Sequence, residues 1–191
     1  MIFPLLESGE IDIEDIRPQA TPFAMLGMQP AFDLDMAVLE RHYVIMQNEL
    51  HPDRFVGKPN IEMSGVRMMS AWVNTAYKKL KDPVLRAKAL LKVLRAKIPG
   101  EGDGTVADPI ILENAMEWRE ELETLKSPQE FDHYQAKINS VFDNCKQQFS
   151  KAWDNHNTEE MQRAYLNMTY ASKALDEAKE KRLFLSGIFY K

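Results

Sequence analysis

The chain has 191 residues, 45% hydrophobic and 28% charged, with a formal net charge of −5, so it can bury one core or two small ones, and it lacks the concentrated basic surface that phosphate recognition demands. The single cysteine, Cys145, excludes an intramolecular disulfide. No apolar run is long enough to cross a bilayer, and the first residues have neither a secretory cleavage pattern nor an arginine-rich leader, so no nucleic acid and no membrane is expected as a partner. The protein is expected to be soluble and cytoplasmic, and a mature mitochondrial matrix form is the alternative left open.

Residues 1–20 read as a tail in which Ile11, Ile13 and Ile16 alternate with acids, a pattern open to a short strand or a helical turn. Thr21-Pro22 supplies a cap and a proline at the first helical position, starting a short helix through Phe23, Met25 and Leu26 that Gly27 stops. Asp35 caps the next helix, in which Leu39, Tyr43, Met46 and Leu50 recur at helical spacing, with Arg41 and His42 expected on the surface. Pro52 ends this helix by forcing His51 out of the α conformation, so His51 and Asp53 flank a stiff, solvated corner. A second stripe follows, made of Val66, Met69, Val73, Ala76, Tyr77 and Leu80, and it closes with Asn74-Thr75-Ala76-Tyr77 and Lys81-Asp82-Pro83. Asp82-Pro83 opens a further helix through Val84, Leu85, Leu90, Leu91 and Leu94.

Pro99-Gly100-Glu101-Gly102-Asp103-Gly104 is the clearest linker in the chain, which places a boundary within residues 98–107. Beyond it, Asp108-Pro109, Ser127-Pro128 with Glu130, and Thr158 are expected to cap three helices over residues 109–125, 128–155 and 159–185. Their short connections predict antiparallel neighbours in a three-helix bundle. The middle helix presents Phe131, Tyr134, Ile138, Val141, Phe142, Cys145, Phe149 and Trp153 on one core stripe, where Cys145 is structural. The last helix turns Met161, Ala164, Tyr165, Met168, Leu175 and Ala178 inward. The first mixes Leu112, Met116 and Trp118 with five glutamates, which predicts a surface that is not fully buried. The fold class is therefore all-α, with a helical hairpin and flanking helices over residues 21–97, a linker over 98–107 and a bundle over 108–191.

Two antiparallel amphipathic helices with His51-Pro52-Asp53 at the tip resemble a J domain, the module that stimulates ATP hydrolysis by DnaK-type chaperones. A J domain joined by a short linker to an acidic helical bundle resembles the HscB family, co-chaperones of iron-sulfur cluster assembly. Asp82-Pro83-Val84-Leu85-Arg86-Ala87 fits that family, and Met116-Glu117-Trp118-Arg119-Glu120-Glu121-Leu122 resembles its bundle signature more specifically. The resemblance implies two partners, a DnaK/HscA-type chaperone ATPase and the iron-sulfur scaffold protein IscU, with no bond made or broken by this chain. Chaperone binding is implied at His51, Pro52, Asp53, Arg41 and Arg54, although the basic helix face usual in J domains is reduced here to Arg41 and His42 amid Glu40 and Glu49. Scaffold binding is implied at Leu112, Met116, Glu117, Glu120 and Tyr170, the last expected to reach over from a helix antiparallel to the first; Glu113 departs from an apolar position of the family.

The competing reading is a J-domain co-chaperone with a different client, its bundle serving as a dimerisation or general client-binding surface. Catalysis is not expected, because two side chains at a solvated helix tip lack a nucleophile and a water-excluded site. No cofactor and no metal are expected: the paired cysteines of the animal relatives' zinc module are missing, and His133, Cys145 and His156 lie more than about three helical turns apart.

Overall fold

A computed structural model describes residues 20–56, 63–101 and 108–185. These residues form seven α-helices and no strand. They fall into two compact units that divide between Val93 and Leu94. The first 19 residues, with the alternating Ile11, Ile13 and Ile16, and residues 102–107 of the glycine-rich stretch lie outside the described residues.

In the first unit, helix α1 (Pro22–Met25) starts where the Thr21 hydroxyl accepts the Ala24 N–H at 3.1 Å. It ends at Gly27, whose φ of 61° lies in the left-handed region that favours glycine. Helix α2 (Met36–Glu49) starts on Asp35, whose carboxylate accepts the N–H groups of Ala37 and Val38. Helix α3 (Met63–Lys81) returns antiparallel to it, as two contacts show: Tyr43, midway along α2, bonds Asn74, while Glu40, a turn earlier, accepts from Tyr77. The Tyr43 and Tyr77 rings stack at 4.0 Å between centroids, and Asn74 Oδ1 also accepts from Gln47 Nε2 at 3.0 Å. Leu39, Met46, Leu50, Val66, Val73, Ala76 and Leu80 form the buried seam.

Helix α4 (Pro83–Val93) opens with Asp82 accepting the Leu85 N–H at 2.9 Å. It buries Ala87, Leu90 and Leu91 completely. Arg86 is buried as well: its Nη1 donates to the Phe32 carbonyl at 2.6 Å and its guanidinium lies over the Phe32 ring, while burial lowers its pKa. The Asp82-to-Ala87 motif thus joins a cap, a first-turn proline and a buried arginine that holds the distant loop between α1 and α2. His42 corrects an expectation. Its ring is half-buried, and Nδ1 lies 2.8 Å from the Leu26 carbonyl, so it ties α2 to the end of α1 instead of extending the surface charge.

The second unit contains α5 (Pro109–Thr124), α6 (Pro128–Asp154) and α7 (Thr158–Leu185). Ser127 and Glu130 form the reciprocal capping box at the start of α6. The start of α7 differs from expectation: Asn157, not Thr158, is the capping residue, its Oδ1 accepting the Glu160 N–H at 3.2 Å. Thr158 already sits inside the helix. The core stripe of α6 packs on α7 as its periodicity requires, with Phe131, Tyr134, Ile138, Cys145 and Phe149 facing Met161, Ala164, Met168, Ala171 and Ala178. Trp118 is 4% exposed and joins this core with Leu122.

The direction of α7 relative to α5 is a second correction. Asp108 at the start of α5 meets Arg163 in the first turns of α7, at 2.7 Å, and the Leu122 and Glu123 carbonyls at its end accept from Lys181 near the end of α7. Helices α5 and α7 therefore run parallel, as the first and third members of an up-down-up bundle must.

Candidate functional site

His51, Pro52, Asp53 and Arg54 follow the end of α2 directly. His51 adopts an extended backbone, and Pro52 starts a single 3₁₀ turn over Pro52–Phe55 that Phe55 anchors in the core. The Asp53 N–H donates to His51 Nδ1 at 3.4 Å, so in the neutral ring the proton resides on Nε2. The side chains of His51 and Asp53 are 60% and 86% exposed, which leaves both available to a docking partner and neither inside a cavity. Arg54 folds back on the end of α2, where its Nη1 pairs with the Glu49 carboxylate, so part of its charge is neutralised before any partner arrives. Arg41 is exposed on α2, one residue from Glu40, which is engaged by Tyr77. Lys58 lies outside the described residues.

The second candidate lies on the face shared by α5 and α7. Leu112, Ala115, Met116 and Arg119 fall at successive i, i+3, i+4 and i+7 positions of α5, and Tyr170, Lys173, Ala174 and Glu177 repeat that spacing on α7. Parallel packing brings the two rows together around a depression of about 290 Å³. Leu112 and Tyr170 are half-buried, Tyr170 resting on the bundle core, whereas Met116 is 65% exposed. Three of the sequence-derived residues are thus brought together. Glu117 and Glu120 are exposed on α5 but do not line the depression.

The residues missed by sequence reasoning are Ala115 and Ala174 in its lining, with Arg119, Lys173 and Glu177. Their helical offsets from Leu112 and Tyr170 were the available signal; alanine adds little to an apolar stripe and is easily passed over. Elsewhere in the bundle, burial raises the Cys145 thiol to about 11, which keeps it protonated and inert. Burial, with the charges of Glu121 and Glu177, raises Tyr134 to about 12, and its hydroxyl donates to the Trp118 carbonyl at 3.0 Å.

An antiparallel hairpin carrying an exposed His-Pro-Asp corner has the arrangement expected of a J domain, and it stands in one chain with a helical bundle that has an apolar depression on its surface. Residues 107–179 match the family described as the HSCB C-terminal oligomerisation domain. The chain is 33% identical over 129 residues to a co-chaperone protein HscB homolog from Paraburkholderia phymatum, an alignment covering 68% of this chain and 73% of that protein. It superposes on the crystal structure of human co-chaperone protein HscB with a TM-score of 0.80 at 26% identity, over 87% of this chain and 84% of the human one. Chaperone HscB from Vibrio cholerae shares the fold, with a TM-score of 0.75 at 23% identity over 87% and 99% of the two chains. The chain belongs to the HscB family of co-chaperones.

Proposed function

We propose that this chain stimulates the ATPase of a DnaK/HscA-type chaperone and delivers to it the iron-sulfur scaffold protein IscU. In this reading residues 21–97 act as the J domain, residues 98–107 as the linker and residues 108–191 as the scaffold-binding bundle. His51, Pro52 and Asp53 contact the chaperone, with Arg41 and Arg54 supplying the positive charge that steers the encounter. Leu112, Met116 and Tyr170 anchor the scaffold, and Glu117 and Glu120 stand beside that contact and select among partners by charge.

The observation that carries the reading is the convergence of Leu112, Met116 and Tyr170 on one depression, with Met116 left 65% exposed. A methionine so exposed beside a half-buried aromatic contributes little to the bundle core and is suited to an apolar partner. Single-turnover ATP hydrolysis by the cognate chaperone, measured with and without this protein and its scaffold, tests both halves of the reading. No acceleration by the protein alone would end the J-domain half, and no added acceleration with scaffold would end the delivery half.

A second reading takes support from the description of the matched C-terminal family as an oligomerisation domain. There the bundle pairs with another copy, and the client differs. Sedimentation of the protein with and without scaffold separates the two: a stable dimer that ignores the scaffold favours the second reading, and a one-to-one heterocomplex favours the first.

A further inference from the structure

The first unit carries a groove of about 510 Å³ that neither the His-Pro-Asp corner nor the bundle surface explains. Its walls are Leu85, Ala89 and Val93 of α4, and Lys79, Lys88 and Lys92 line it from α3 and α4. Leu85 is 40% exposed there, an apolar side chain with ammonium groups around it. Such a site favours an occupant that is both apolar and acidic.

The chain supplies one. Ala20 and Thr21 line the same groove, so the described chain begins at its edge, with 19 residues preceding it in sequence. Those residues hold Glu7, Glu10, Asp12, Glu14 and Asp15 against Arg17 alone, and they set Ile11, Ile13 and Ile16 between the acids. This is the inverse of the groove, with isoleucines to match Leu85, Ala89 and Val93 and carboxylates to match the three lysines. Reach is adequate. The four residue-to-residue steps from Ile16 to Ala20 extend up to about 13 Å, and Leu85 to Val93 spans about 12 Å along α4.

We propose that residues 10–16 seat in the groove between α3 and α4, isoleucines on its apolar wall and carboxylates toward Lys79, Lys88 and Lys92, as an intramolecular acidic ligand of the first unit. Tethering holds the segment at high effective concentration, so contacts that are weak between separate molecules suffice within one. Seated there, it withholds the lysines from acidic segments of other proteins.

Amide spectra of the full chain and of a chain beginning at residue 18 test this. Removal of the segment is expected to shift the amides of Lys79, Leu85 and residues 88–93. A peptide of residues 1–17 added to the shortened chain is expected to restore them, with an affinity that falls roughly tenfold when salt rises from about 0.05 to about 0.5 M. Shifts that map outside the groove, or a peptide that leaves the shortened chain's spectrum unchanged, would overturn the proposal. Should the shortened chain not fold, charge exchange in the full chain decides. E10K/D12K/E14K alone and K79E/K92E alone are each expected to displace the segment, and the five changes together to restore the native shifts; strictly additive effects would overturn the proposal.

Discussion

At the scale of single residues, the contrast is between side chains the fold uses and side chains it leaves exposed. His51 and Asp53 are exposed and held by one local contact, so His51→Gln or Asp53→Asn is expected to abolish stimulation of the chaperone ATPase while the helical circular dichroism stays unchanged. A variant that still accelerated single-turnover hydrolysis would contradict the docking role. Cys145 is the opposite case, 1% exposed within the α6–α7 core. Cys145→Ser places a hydroxyl there and is expected to cost about 1–3 kcal/mol, lowering the melting temperature by several degrees with both binding activities retained. Loss of scaffold binding at an unchanged melting temperature would point instead to a functional thiol. A pH dependence follows from Asp108 and Glu130. Burial works to raise the Asp108 pKa, but the Arg163 hydrogen bond and the N–H groups of Ile111 and Ile110 hold its carboxyl below the usual range; the Lys126 and Ser127 N–H groups do the same for Glu130. Both folded values lie below the unfolded ones. Their stabilisation is therefore complete above about pH 5, clear of the unfolded values, and is lost as pH falls through the lower folded values. Asp108→Asn is expected to flatten the acid limb of melting temperature against pH, and an unaltered limb would show that other groups set it.

At the scale of elements, the sequence was most legible where spacing and capping chemistry coincide. Asp35, Asp108 and Ser127 cap the helices assigned to them, and most of the stripes of α3 and α6 is buried as their periodicity predicts, with Met69, Tyr77, Val141, Phe142 and Trp153 half-buried at the margins. It was least legible where a residue's partner is distant in sequence. His42 sits at a helical position suited to solvent, and only the fold brings the Leu26 carbonyl to its ring. Asn157 and Thr158 are both good capping residues, so adjacency hid which one the helix uses. The candidate surface was half legible for the same reason: Leu112 and Met116 share a face by spacing, but the row opposite them depends on the parallel course of α5 and α7. That geometry sets an expectation for the elements together. Leu112→Ala with Met116→Ala and Tyr170→Ala removes anchors from both walls, each truncation costing on the order of 1–4 kcal/mol if central, and calorimetry should find scaffold affinity lost at every ionic strength. Glu117→Lys with Glu120→Lys, off the depression, should weaken binding only at low salt. A collapsed melt in the triple variant would show that these side chains chiefly pack the bundle.

At the scale of the whole molecule, the two surfaces belong to different compact units, each with its own core. A substitution confined to one unit's surface should therefore leave the other unit's binding intact, because mutational effects at separate sites that share no partners are close to additive. His51→Gln is expected to keep full scaffold affinity and lose ATPase stimulation, and the Leu112, Met116 and Tyr170 triple variant is expected to do the reverse. Mixing the two variants then tests delivery itself. If one chain must hold the scaffold and engage the chaperone at once, the covalent connection supplies the effective concentration, and two singly defective chains cannot replace it. An equimolar mixture should give the basal stimulation contributed by the triple variant and no scaffold-dependent increase. Recovery of that increase in the mixture, at protein concentrations where sedimentation finds paired bundles, would show that one copy's J domain can serve a scaffold held by another, and would favour the self-association reading of residues 107–179 over delivery by a single chain.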